Sequence, residues 1–186
     1  MRTRQTEAIT ARLLALYLDA CDEHKDAGMR WSDVAREVAE SLAVGTPYSV
    51  EQCAAVLAIT SPSVLWRRNC EVSRIIIAAH LAGIPHSDLG LCRNHRTVVS
   101  AYRALDGDLS AVSGPKVTAF FAAIMGDPHA VTLDRHCFKA AIGVERCGPV
   151  LRRSVDAAYR AAAAAVGVTP REMQATVWVA WRGSAE

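Results

Sequence analysis

The chain has 186 residues, 51% of them hydrophobic, and 21 basic against 19 acidic side chains leave a formal charge of +2. This composition excludes a disordered chain and supports one folded domain with a sizeable core; so small a net charge creates no overall field for nucleic acid, so polyanion binding would need local clusters. Six cysteines, never closer than ten residues, exclude compact zinc and iron–sulfur spacings and read as reduced thiols of a cytoplasmic protein.

Apolar residues recur at three and four almost throughout, alanine is abundant, and no sustained β-branched alternation occurs, which predicts an all-α bundle of about eight helices. The first helix is expected over residues 6–23. Its opening run, MRTRQTEAITARLLALYLDA, carries Glu7, Arg12 and Asp19 and so lacks the apolar core of a signal peptide; nothing reaches the length of a membrane span. The tetrapeptide KDAG is expected to end it, with a second helix over 32–43 and Ser32 as its N-cap. After the break VGTPYS, Ser49 opens a third helix, VEQCAAVLAIT, apolar on nearly every face and therefore the buried central one.

The tripeptide SPS stops that helix, and VLWRRNCEVSRIIIAAHLAG forms the next, with Arg67, Arg68 and Arg74 as the densest basic patch and Trp66 and Asn69 one turn apart. A helix over 94–104 leads to the turn LDGDLS. Later helices are expected over 135–142, 151–166 and 170–181, the last with Thr169 as N-cap and Pro170 at its first position. Trp178 and Trp181 read as an apolar core stripe. With no repeat or linker, the chain reads as a single domain, 1–186, with the alternative of two lobes, 1–48 plus 143–186 and 49–142, around one cleft.

Between these lies SGPKVTAFFAAIMGDPHAVTLDRHCFKAA. A glycine turn places Lys116 in the first turn of an apolar helix, where exposed amides favour anions and disfavour an ammonium. Such a lysine, set against Val117 and Phe120, is a candidate for a lowered pKa and hence for a nucleophilic amine. Asp134 is the expected N-cap of the following helix, eighteen residues later, which leaves room for a helix, the turn GDPHA and a short return. An amine opposite a carboxylate suits chemistry at a sugar carbon carrying developing positive charge. The competing reading is a solvated lysine and a simple cap.

The glycine turn, lysine, apolar helix and AVTLDRH are similar to the signature of the helix-hairpin-helix base-excision DNA glycosylases, L-P-G-V-G-x-K followed about eighteen residues later by V-D-x-H. In that resemblance Gly114 matches the second hairpin glycine, Lys116 the catalytic lysine of lyase-competent members, Asp134 the shared catalytic aspartate and His136 the histidine near DNA phosphate. Upstream, AAVLAITSPSVLWRRN resembles the segment that enters the gap left by a flipped nucleotide, here Thr60, Ser61 and Pro62. The sequence departs from the pattern at Val112, where the first hairpin glycine would stand, and at Ser113, and it lacks the four-cysteine cluster of some members. The chain is short for the family, which suggests a minimal member of phage or actinobacterial type.

The resemblance implies a bundle with a central helix-hairpin-helix and a monomeric enzyme of base excision repair, associated with the nucleoid, that acts on double-stranded DNA without a cofactor. A nucleotide would be flipped out; Lys116 would attack the glycosidic carbon and Asp134 stabilise the charge, giving a Schiff base and β-elimination. Ser113, Gly114, Val117, His136, Arg67 and Arg68 would hold phosphates, and Trp66 and Asn69 would line the base pocket with Thr60, Ser61 and Pro62. Two rival readings keep the fold: base exchange or group transfer on hypermodified DNA, and a non-catalytic DNA-binding module. For the arginines the rival is a solvated helix face, and for Trp66 and Asn69 a core tryptophan with a capping or solvated asparagine.

Overall fold

The computed structural model describes residues 2–91 and 95–183, and among them every regular element is helical. The α-helices are α1 (Arg2–Leu18), α2 (Asp22–Ala43), α3 (Val50–Thr60), α4 (Trp66–Leu81), α5 (His95–Leu105), α6 (Pro115–Ile124), α7 (Arg135–Ile142), α8 (Pro149–Val166) and α9 (Pro170–Arg182). Single 3-10 turns stand at His86–Asp88 and Leu109–Ala111. The protein is all-α. The expected start of the fifth helix at Asn94 lies outside the described residues.

The chain forms two compact units, one of Met1–Ser32 with Gly126–Ala185 and one of Asp33–Met125. These bounds differ from the lobes read from the sequence. The segment after Met125 contributes Val131, Leu133, Cys137 and Phe138 to the core of the first unit, while Ala35, Ala39 and Leu42 of α2 join the core of the second.

In the first unit, α1 packs on α8, and α9 packs on α1, α7 and α8. Their core holds Leu13, Val155, Tyr159, Met173 and Val177, all fully buried. The start of α2 belongs here and corrects the expected break at KDAG. Asp22 and Glu23 occupy the first turn of α2 rather than the tail of α1, where two carboxylates suit the positive end of the helix dipole. The helix then runs unbroken through Gly28 and through Ser32, which is buried inside α2 rather than capping it.

In the second unit α3 is the hub, packed by α4, α5 and α6, and every residue from Cys53 to Thr60 is buried. Each fully buried Leu or Val there contributes about 1.5–3 kcal/mol. Ser49 opens α3 with a capping box, its hydroxyl accepting from the Gln52 N–H while the Gln52 side chain accepts from the Ser49 N–H. Gln52 also donates to the Leu105 carbonyl at 2.6 Å, which ties the end of α5 to the start of α3. From α5 the chain turns through Leu109–Ala111 into α6, with Gly114 at φ +86° and Pro115 at the first helical position. The absence of a Cβ is what lets Gly114 hold that backbone conformation.

Candidate functional site

In the second unit the end of α3, the start of α4 and the start of α6 come together. Lys116, in the first turn of α6, directs its Nζ to the Ser61 carbonyl at 3.4 Å, and Ser61 returns its own hydroxyl to the Ala58 carbonyl. Trp66 opens α4 and meets Phe120 of α6 edge-on at 6.3 Å, and Val117 packs against the same core. Pro62 is exposed and Ser63 adopts φ +60°, so the SPS segment is a tight turn between α3 and α4. Ser113 and Gly114 are exposed at the head of α6.

Thr60 and Asn69, read from the sequence as pocket residues, are 0% and 1% exposed. Thr60 Oγ1 donates to the Val56 carbonyl at 2.7 Å and pairs with Ser73 Oγ at 2.9 Å; Asn69 Nδ2 donates to the Leu57 carbonyl at 3.0 Å. Thr60 therefore joins α3 to α4 through the Ser73 hydroxyl, and Asn69 joins them by satisfying the Leu57 carbonyl in the last turn of α3. Arg67 and Arg68 are exposed, and both pair with Glu71, at 3.5 and 3.0 Å. Their expected basic patch is thereby partly offset by a carboxylate three and four residues on.

The first unit holds Asp134 and His136. Asp134 caps α7 as expected: its Oδ1 accepts from the His136 and Cys137 N–H groups, both at 2.9 Å, and its Oδ2 accepts from Trp178 Nε1 at 3.1 Å. Three N–H donors thus orient one half-buried carboxylate. Trp178 also meets Trp31, with ring centroids 5.4 Å apart, and the Arg182 guanidinium stands 4.4 Å from the centre of its ring. One turn earlier on α9, Gln174 accepts from the Thr132 N–H and donates to Cys137 Sγ, whose thiol donates to the Thr132 carbonyl. Burial holds the Cys137 thiol and the Tyr159 phenol well above their usual ranges, so neither serves as a nucleophile near neutral pH.

Gln174 and Trp178 were not read from the sequence as site residues. The signal that could have found them is a pair of hydrogen-bonding ends four residues apart on the buried face of α9. The two residues of the expected catalytic pair belong to different units, Lys116 to the second and Asp134 to the first. Among the described residues no three His, Cys, Asp or Glu side chains gather as metal ligands, and no helix is long and apolar enough to cross a membrane.

His136 Nε2 accepts from Arg135 Nε at 3.2 Å, which assigns the proton of the neutral ring to Nδ1. Burial first, then the charges of Arg135, Arg182 and Lys139, hold its pKa below 6.5, against the opposing pull of Asp134. A histidine depressed in the fold binds fewer protons folded than unfolded, so its contribution is present above the unfolded pKa and lost as pH falls through the folded one. The expected result is a thermal midpoint that drops as pH is lowered below 6.5, with a shallower drop in His136→Gln. Parallel profiles for the two proteins would reject this account.

The fold and the capped carboxylate define an all-α protein with an aspartate fixed at a helix start. The chain belongs to the DUF7178 family, a family of unknown function, whose model matches residues 1–185. No curated protein and no solved structure matches it.

Proposed function

We propose that this protein is a DNA glycosylase with lyase activity, which flips out a damaged or modified base of double-stranded DNA and excises it. The observation that carries the reading is Lys116. Its amine, at the head of α6 behind a positive-φ glycine, turns back to the Ser61 carbonyl at the end of α3. A half-buried amine next to the SPS turn is suited to a nucleotide displaced from a duplex, because only an extruded nucleotide exposes its glycosidic carbon.

In this reading the unprotonated Lys116 Nζ forms a bond to C1′ as the C1′–N bond breaks, and the base leaves with that electron pair and takes up a proton. Asp134 supplies the carboxylate for the developing oxocarbenium charge, the role that its three N–H contacts prepare by holding it fixed. Loss of a proton from Nζ and opening of the sugar ring give a Schiff base. Removal of the proton at C2′ then expels the 3′ phosphate and nicks the strand.

Borohydride reduction tests this directly. Incubation with duplexes bearing a damaged base or an abasic site is expected to yield a covalent protein–DNA adduct in the wild type and none in Lys116→Ala. Base release without an adduct would remove Lys116 as nucleophile. A second reading, a DNA-binding module without catalysis, is favoured by one observation: both oxygens of Asp134 are already engaged, as a purely structural cap would be. Duplex binding with neither adduct nor base release would select it.

A further inference from the structure

The surroundings of Asp134 carry more positive charge than the sequence reading assigned to them. Of the cations read as phosphate ligands, Arg67 and Arg68 both pair with Glu71. In the first unit Lys139 pairs with Glu145 and Arg160 with Asp156. Arg135 and Arg182, by contrast, have no carboxylate within ion-pair distance among the described residues, and both stand next to the Asp134 cap. A continuous chain of contacts links them: Arg182 over the Trp178 ring at 4.4 Å, Trp178 Nε1 to Asp134 Oδ2 at 3.1 Å, Asp134 Oδ1 to the His136 N–H at 2.9 Å, and His136 Nε2 to Arg135 Nε at 3.2 Å.

We propose that Arg135, His136 and Arg182 form a phosphodiester-binding patch around Asp134, through which α7 and α9 grip the backbone of duplex DNA. The inference rests on the DNA-acting reading given above and names residues, Arg135 and Arg182, that the sequence resemblance did not supply. Its physical ground is electrostatic. A fixed carboxylate repels the phosphates flanking any nucleotide it is to serve, and two guanidinium charges at its sides reverse the sign of the local field.

The geometry leaves the right donors for that task. Two first-turn amides of α7, those of His136 and Cys137, are taken by Asp134 itself, so side chains are left as the main donors to a phosphate. Arg135 uses Nε on His136, and no described residue takes its two terminal nitrogens. Arg182 lies over the Trp178 ring, which restrains a group whose edge matches a phosphate in bidentate fashion. His136 keeps its proton on Nδ1 and offers one further donor. The cations facing this histidine are Arg135 and Lys139 from α7 and Arg182 from α9, with Asp134 the one carboxylate among its charged neighbours.

The test is the salt dependence of binding to a short labelled DNA duplex by fluorescence anisotropy. Neutralising a phosphate contact lowers the slope of log K against log salt by about one, so Arg135→Gln and Arg182→Gln are each expected to do so, and Arg182→Lys to keep most of the wild-type slope. Arg160→Gln, whose guanidinium is occupied by Asp156, is expected to bind as the wild type does. Thermal melting of each variant separates loss of fold from loss of contact. Wild-type slopes in both glutamine variants, with borohydride adduct formation intact, would overturn the patch and leave the glycosylase reading standing. Failure of the wild type to bind duplex DNA at any salt would overturn both.

Discussion

Gly28→Ala will lower the melting temperature by about 4–8 °C, although alanine is the better helix former. Gly28 lies inside α2, where its replacement by alanine should gain about 1 kcal/mol of helix propensity. A Cβ at this position would sit 2.4 Å from Thr176 Cα and 2.6 Å from Thr176 N. Those are backbone atoms of α9, so no rotamer change relieves the overlap and the two helices must separate. Overpacking of this kind costs about 1–3 kcal/mol or more, and contact with main chain puts it at the upper end, so the clash outweighs the propensity. Calorimetry of the variant decides the matter: an unchanged or raised midpoint would show that α2 and α9 do not approach at Gly28.

Asp134→Asn and Trp178→Phe will each destabilise the protein by about 1–3 kcal/mol, yet the double variant will be less destabilised than their sum by about 1–2 kcal/mol. An asparagine can keep its carbonyl oxygen on the His136 and Cys137 N–H groups. Its Nδ2 then faces Trp178 Nε1, so two donors meet with no acceptor between them. Phenylalanine at 178 removes the opposing donor while preserving a ring against Trp31 and Arg182. Urea unfolding of the four proteins measures the coupling. Strict additivity would mean that the indole does not hold the carboxylate. This cycle reads the structure alone and stands whether or not the protein acts on DNA.

Much of the fold was legible because its signals are local. Ser49, Asp134 and Thr169 cap their helices as their spacing predicted, since a cap needs only a side-chain oxygen and an N–H two or three residues on. The burial of α3 was legible too, because a helix apolar on every face has nowhere else to go. The misread stop at KDAG has the opposite cause. A glycine after a charged run usually ends a helix, but Gly28 is there for close approach to Thr176, a residue 148 positions later. Ser32 has the sequence signature of a cap, because a cap and a buried helical serine look alike without knowledge of what lies opposite.

The site was legible in part. The Glu71 partner of Arg67 and Arg68 lay within one helical turn and could have been read. Nothing in the sequence distinguished Asn69, bonded to the Leu57 carbonyl inside the core, from an asparagine lining a pocket. Nor did spacing connect Trp178 to Asp134 across 44 residues.

By itself, then, the sequence determined the helical class, the caps Ser49, Asp134 and Thr169, and the candidates Lys116 and Asp134, because propensity, periodicity and capping act within a few residues. Tertiary structure alone decided that Gly28 is a contact, that Thr60 and Asn69 close the end of α3, and that α9 presents Gln174 and Trp178 to the Asp134 segment. It also decided which unit each candidate belongs to. Each of these depends on pairings between residues distant along the chain, where burial and donor–acceptor matching, rather than local backbone preference, determine which partners meet.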